Sequence, residues 1–146
     1  MKSLRKIGPV ISIAVVDTGP LVAVANRADP DHQTCLEALQ SSEYGLVIPA
    51  LCIAEATYLI GKKKGPTIEA MFLRGLEAFD VQSPLTEDWP RIAQIVEEYR
   101  DFPLGGTDAS VIALAERLGS ELIITLDRRH FGAVRPRHCE RFRLLP

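Results

Sequence analysis

The chain has 146 residues, of which 47% are hydrophobic and 25% are charged, and its formal net charge at pH 7 is −2. This length fits one domain with a substantial hydrophobic core. The composition excludes a collagen-like, coiled-coil or disordered chain, and the small net charge excludes binding to nucleic acid by overall charge alone. We therefore expect residues 1–146 to form a single domain.

The cysteines and the N-terminus indicate the cellular compartment. Cys35, Cys52 and Cys139 are odd in number, widely spaced and without a CxxC pair, which excludes a disulfide framework or a zinc site and favours a reducing compartment. The segment MKSLRKIGPVISIAVV resembles a signal peptide, but Pro9 and Asp17 interrupt its apolar stretch. No stretch reaches the roughly 20 apolar residues of a membrane span. We expect a cytoplasmic protein.

Predicted strands and helices alternate along the chain. Strands are expected at 10–16, 44–48, 80–82, 122–126 and 141–145. Helices are expected at 21–25, from Asp29-Pro30 onward, at 50–63, after Pro66, after a Thr86 cap, and from Thr107 to a stop at Gly119. This alternation predicts an α/β fold in three layers, α/β/α, with a central and mostly parallel sheet.

Two aspartates follow the most apolar predicted strands. Asp17 ends the run ISIAVV, and Asp127 follows LIITL. If these strands are parallel, their carboxyl ends lie at one edge of the sheet, which is where open α/β sheets bind ligands. We therefore expect both carboxylates at the same edge.

Two further acids interrupt apolar helix patterns. Glu55 lies four residues after Leu51 and four before Leu59, so the pattern predicts that it shares their inward face. A buried carboxylate is costly and needs a partner, a proton or a metal ion. Asp108 lies three residues before Val111 and is expected to point toward the core side of its helix.

Each acid also has a structural alternative. Asp17 could cap the turn that follows it, Asp127 could be a turn residue, Asp108 could complement a helix dipole, and Glu55 could pair with an arginine. If all four converge, a divalent cation would relieve their repulsion. Ligands that offer only oxygen suit Mg²⁺ or Mn²⁺ rather than zinc, and such a site fits metal-assisted phosphodiester hydrolysis.

Four segments together resemble a known family. VVDTGPLVAVA, IPALCIAEATYLI, GGTDASVIALAERLG and IITLDRRHF are similar to segments of the PIN-domain ribonucleases, and specifically of the VapC-type toxins of bacterial toxin–antitoxin systems. The resemblance runs from about Val10 to the C-terminus, and residues 1–9 form an N-terminal extension beyond the usual start. It implies a homodimer and a cognate antitoxin that blocks the cleft with a basic side chain.

The resemblance also implies roles for the acids. Asp17, Glu55, Asp108 and Asp127 would hold Mg²⁺ or Mn²⁺ for in-line hydrolysis of RNA, which leaves a 5′-phosphate and a 3′-hydroxyl. The three aspartates would be direct or water-mediated ligands, and Glu55 would orient or deprotonate the attacking water. The RNA target, the number of metal ions and the identity of the antitoxin are not encoded in any recognisable pattern.

Smaller features complete the expectations. Thr18 and Thr125 could supply hydroxyl groups beside the acids, although Leu126 stands where the family often has a hydroxyl residue. Arg128 and Arg129 could bind RNA phosphates or form structural salt bridges. The motif Asp-Thr-Gly also occurs in aspartic proteases, but their all-β fold conflicts with the helical patterns here. The main alternative function is a catalytically weak PIN-like module that binds RNA or a protein partner.

Overall fold

The computed structural model describes residues 12–146, so the extension 1–9 and the first residues of the predicted 10–16 strand lie outside the described range. Five strands are present in this range: β1 (Ser12–Val16), β2 (Tyr44–Pro49), β3 (Asp80–Gln82), β4 (Leu122–Ile124) and β5 (Arg143–Leu145). The α-helices of the same range are α1 (Thr18–Val24), α2 (His32–Gln40), α3 (Ala50–Lys64), α4 (Pro66–Gly75), α5 (Asp88–Glu98), α6 (Gly106–Leu118) and α7 (Arg128–Ala133). A 3₁₀ turn, Leu76–Ala78, follows α4. None of these helices has the length and apolarity needed to cross a membrane.

The strands form one sheet in the order β3-β2-β1-β4-β5, and every pair is parallel. Strands β2 and β3 are added on one side of β1, and β4 and β5 are added on its other side. The order of strand addition therefore reverses between β1 and β4. The right-handed crossovers expected between parallel strands would place α1 to α4 on one face and α5 to α7 on the other. In agreement, α1 contacts α2 and α3, α3 contacts α4, and α5 packs on α6. The predicted three-layer α/β/α fold is confirmed.

The two central strands supply the middle of the core. Val15 of β1 pairs with Val47 of β2 on one side and with Ile123 of β4 on the other. Strands that are covered on both faces need continuous apolar runs, and β1 and β4 have them. Helix α6 adds an uninterrupted buried segment, Ala109–Ala115, and ends at Gly119, whose φ of +67° is the left-handed cap conformation that glycine adopts without strain.

Two ion pairs join α5 to α6. Arg91 donates two hydrogen bonds to the Glu116 carboxylate, at 2.8 and 2.9 Å. The burial of Glu116 is the largest single influence and acts against ionisation, but the hydrogen bonds from Arg91 and the Arg137 backbone, together with the positive charges of both arginines, outweigh it and lower the Glu116 pKa. In the second pair, Arg117 Nε lies 3.0 Å from Oδ2 of the buried Asp88. The two ion pairs therefore hold α5 against α6.

Some element boundaries differ from the predictions. Helix α1 begins at Thr18 rather than at residue 21, and α2 begins at His32, after a turn that starts near Asp29. Strand β4 ends at Ile124 because the Thr125 hydroxyl accepts the Asp127 N–H at 2.9 Å and turns the chain. Helix α7, which follows this turn, was not predicted because it is only six residues long.

Candidate active site at the reversal between β1 and β4

Two aspartates lie where the sheet order reverses. Asp17 follows β1 and occupies the N-cap position of α1. Asp127 follows β4 and occupies the N-cap position of α7. Because β1 and β4 are adjacent and parallel, both residues are at the carboxyl edge of the sheet, at the place where doubly wound folds bind ligands.

Asp17 is buried, with a relative exposure of 6%. The Thr125 hydroxyl donates a hydrogen bond to Oδ2 at 2.8 Å, and the Cys52 thiol lies 4.0 Å from Oδ1. Burial raises the pKa of Asp17 to about 6, and the negative charges of Asp108 and Asp127 contribute to the rise, whereas hydrogen bonds from Thr125 and the Thr18 backbone oppose it. Near neutral pH this site therefore holds a carboxylate that is poorly solvated.

Asp127 is half-buried and tightly oriented. Its Oδ1 accepts the His130 backbone N–H at 3.0 Å, and its Oδ2 lies 2.7 Å from His130 Nδ1. Its own N–H donates to Thr125 Oγ1, the same hydroxyl that donates to Asp17. Thr125 therefore connects the two aspartates and fixes their relative position.

Helix α6 brings the third aspartate to this edge. Asp108 is half-buried in the first turn of α6. Its pKa is raised first by burial and then by the charge of Asp127, with a smaller contribution from Glu55. Hydrogen bonding from Gly105 and the nearby imidazole of His130 act in the opposite direction. The three aspartates are thus close enough for their charges to interact.

The predicted burial of Glu55 is wrong, because its side chain is exposed. The buried stripe of α3 consists of Cys52, Ala56 and Ile60, spaced four residues apart. Glu55 lies beside this stripe, and Leu59, which was expected to share its inward face, is 39% exposed. Glu55 is therefore solvated and has no ion-pair partner in the part of the chain that the structure describes, yet it is near enough to Asp108 to contribute to the rise in that residue's pKa.

Within residues 12–146, the one basic side chain paired with these acids is a histidine. No lysine or arginine of this range forms an ion pair with Asp17, Glu55, Asp108 or Asp127, whereas His130 contacts Asp127. Oxygen donors without a counter-charge fit a hard divalent cation. In the same range, no group of three or more aspartate, glutamate, histidine or cysteine side chains is arranged to hold a metal ion. Mg²⁺ itself usually keeps several waters and is bound in proteins through one or two carboxylates.

The remaining predicted residues have distinct surroundings. The Thr18 hydroxyl is buried and has no hydrogen-bond partner within the described residues. Arg128 donates to the backbone carbonyl of Pro146, and the Arg129 guanidinium lies 5.5 Å from the centre of the Phe102 ring. Both arginine side chains are exposed, and neither forms an ion pair among residues 12–146.

One residue at this edge was missed in the sequence. His130 contacts Asp127 with both its backbone and its imidazole. The available signal was the spacing in DRRH, because an aspartate at a helix N-cap reaches the residue three positions later. The short length of α7 concealed this signal.

Comparisons with known proteins agree with this arrangement. The PIN domain family model matches residues 14–135, and the chain therefore belongs to the PIN-domain family. Ribonuclease VapC26 of Mycobacterium tuberculosis (strain ATCC 25618 / H37Rv) is 36% identical over 134 residues, which cover 90% of this chain and 99% of that protein. The chain is thus similar to VapC proteins within the family.

Solved structures show the same fold. The crystal structure of Mycobacterium tuberculosis VapC20, a toxin that cleaves the sarcin–ricin loop, has a TM-score of 0.69 and 16% identity, and covers 75% of this chain and 86% of that chain. A toxin–antitoxin complex from Klebsiella pneumoniae has a TM-score of 0.65 and 20% identity, and covers 83% of this chain and 92% of that chain. At these identities the similarity supports the fold.

Proposed function

We propose that this chain is a VapC-type ribonuclease that hydrolyses RNA phosphodiester bonds with Mg²⁺ or Mn²⁺. The observation that carries the proposal is the set of Asp17, Asp108 and Asp127, which β1, α6 and β4 bring to one edge of the sheet without a lysine or arginine partner among residues 12–146. The kinship with Ribonuclease VapC26 supports RNA as the substrate. The alternative is a PIN-like module that binds RNA or a partner without efficient cleavage.

The proposed roles follow the surroundings of each side chain. Asp17, Asp108 and Asp127 would hold the divalent cation, which supplies charge stabilisation at the phosphate and lowers the pKa of bound water. Thr125 fixes Asp17 by its hydrogen bond. The exposed Glu55 is free to orient the attacking water or to accept its proton, since its carboxylate forms no ion pair within the described range.

Substrate binding is assigned to the basic residues next to Asp127. Arg128 and Arg129 are exposed and adjacent to the acid in sequence, so they could neutralise RNA phosphates as the chain enters the site. We place this activity in the cytoplasm, where RNA substrates are available. We also infer that the protein forms a homodimer when no other partner is bound.

We further propose a cognate antitoxin as the protein partner, and an apolar groove supports this proposal. The groove encloses about 750 Å³ between α1, α2 and α4, and Phe72, Leu76 and Phe79 line its walls. Arg27 and Lys64 are part of its lining, which favours acidic residues at the ends of a bound segment. An amphipathic segment of the antitoxin fits such a groove.

The groove proposal predicts that Met71→Glu weakens antitoxin binding. Met71 lines the groove and is 60% exposed, so a carboxylate there would enter an apolar surface when the partner docks. We expect at least about a tenfold loss of affinity, which corresponds to 1.4 kcal/mol, measured by titration with the purified antitoxin. RNA cleavage by the free variant should be unchanged.

Leu73→Glu is the matched control for this prediction. Leu73 belongs to the same helix and is 45% exposed, but it is not part of the groove lining. Its variant should bind the antitoxin like the wild type. The assignment of the groove would be contradicted if Met71→Glu bound the antitoxin as tightly as the wild type does, or if both variants lost the same antitoxin affinity.

The decisive test of the proposed function is cleavage of total cellular RNA by the antitoxin-free protein. The assay compares Mg²⁺, Mn²⁺ and EDTA for the wild type and an Asp108→Asn variant, with circular dichroism to verify folding. We expect discrete fragments with 5′-phosphate ends that require metal and disappear in the variant. No cleavage with either metal by a folded protein that still binds RNA would support the alternative of a binding module.

A further inference from the structure

His130 makes two contacts with one carboxylate. Its backbone N–H donates to Asp127 Oδ1 at 3.0 Å, as expected for the third residue after an N-cap aspartate. Its imidazole Nδ1 lies 2.7 Å from Asp127 Oδ2. An ionised carboxylate can only accept, so Nδ1 must carry the proton of this hydrogen bond. Together, the two contacts engage both oxygens of Asp127 and leave the carboxylate little freedom to rotate.

The imidazole itself is held in place by its neighbours. The Phe102 ring packs against it with a centroid distance of 4.7 Å and an interplanar angle of 49°. Its Nε2 is buried and has no partner among residues 12–146. Phe102 belongs to the loop that leads into α6, the helix that carries Asp108. His130 therefore lies between the segment that presents Asp127 and the segment that presents Asp108.

The backbone contact alone would satisfy the helix cap, so the imidazole contact requires a separate explanation. A carboxylate that binds a metal ion is usually held by hydrogen bonds from neighbouring groups, and removal of such a group typically weakens metal binding or activity by about 10- to 100-fold. On this basis we propose that His130 is the positioning residue of Asp127, and that its Nδ1–H keeps the Asp127 carboxylate oriented for the divalent cation. The inference rests on the proposed metal-dependent function.

The test is Mn²⁺ binding to the metal-free full chain, measured by isothermal titration calorimetry. His130→Ala keeps the backbone contact but removes the Nδ1–H, and we expect about a 10- to 100-fold weaker Mn²⁺ affinity. His130→Asn places an amide N–H near the position of Nδ1 and should recover most of the loss. If His130→Ala weakened Mn²⁺ binding only by destabilising the fold, His130→Asn would not restore the affinity.

His138→Ala is the matched control. The His138 imidazole is also half-buried, contacts the Ser120 carbonyl at 2.6 Å, and packs near the Phe142 ring, but it contacts no acid of the site. Its removal should leave the Mn²⁺ affinity unchanged. Wild-type affinity in His130→Ala, no recovery in His130→Asn, or an equal loss in His138→Ala would each overturn the positioning role.

A second measurement separates this inference from the proposed function. Long-range ¹H–¹⁵N NMR correlations of the metal-free protein report which imidazole nitrogen carries a proton. We expect a protonated Nδ1 in His130, and a proton on Nε2 alone would overturn the inference without any reference to metal. If the wild type binds no Mn²⁺ at all, the proposed metal-dependent function fails, and the positioning role fails with it.

Discussion

Asp17→Asn is expected to abolish RNA cleavage and, at the same time, to stabilise the metal-free protein. Removal of groups that only orient a metal ligand costs about 10- to 100-fold, so loss of Asp17, a ligand in the proposed function, should reduce kcat by at least about 100-fold. The gain in stability arises because the charged form of Asp17 is buried without a cationic partner among the described residues.

The size of the stabilisation follows from the pKa. The Asp17 pKa is raised from 3.8 to about 6, and each unit corresponds to 1.36 kcal/mol, so ionised Asp17 destabilises the fold by about 3 kcal/mol near pH 8. Asparagine has no charge to desolvate and can still accept the hydrogen bond from Thr125. We expect an increase in Tm of several degrees, at roughly 2–4 °C per kcal/mol, measured by calorimetry in EDTA.

Asp88→Asn provides the matched control. Asp88 has the same side chain and nearly the same exposure as Asp17, 8% against 6%, but it accepts hydrogen bonds from Arg117 and from the Leu85 backbone. The control variant should lose about 1–3 kcal/mol of stability through its charged hydrogen bond and keep its RNA cleavage. A destabilised Asp17→Asn, or one that cleaves RNA like the wild type, would contradict the assignment of Asp17.

The second large effect is a dependence of stability on pH that a divalent cation reverses. Because the folded-state pKa of Asp17 lies above its unfolded value, the native state binds more protons than the unfolded state between about pH 4 and 6. The free energy of unfolding of the metal-free protein should therefore fall as the pH rises through this range and reach its low value above pH 7. The raised pKa of Asp108 acts in the same direction.

Addition of Mn²⁺ should raise Tm strongly at pH 7.5 and little at pH 5, where protons occupy Asp17. The lowered pKa of Glu116 affects stability as the pH falls through the unfolded value of 4.5, which is below both of these pH values. Thermal unfolding with and without Mn²⁺ at both pH values measures the effect. If Asp17→Asn shows the same decline in metal-free stability with pH as the wild type, Asp17 is not its source.

The sequence was sufficient to predict the fold and the location of Asp17 and Asp127. Apolar runs of strand length that end in an acid are strong local signals, and parallel pairing then determines that both acids lie at one edge. The orientation of Glu55 was not predictable in the same way. The buried stripe of α3 begins with Cys52 and Ala56, two small side chains that contribute less to a hydrophobic pattern than Leu51 and Leu59 do.

The contact between His130 and Asp127 could not be predicted from sequence patterns for another reason. Helix α7 has six residues, which is less than two full turns, so no periodicity can develop. Its existence depends on the cap formed by Asp127 and on the turn made by Thr125. Both are side-chain hydrogen bonds whose geometry only the assembled fold defines.

The adjacency of β1 and β4 has a consequence for the way the protein acquires activity. Ala14 pairs with Leu122 across more than a hundred intervening residues, so this contact closes a very long loop. Until it forms, β1 presents an unprotected apolar edge and Asp17 has neither Thr125 nor Asp127 beside it. Folding intermediates in which β4 has not yet paired are therefore prone to aggregate but cannot cleave RNA. Cleavage activity then appears only when the fold is complete.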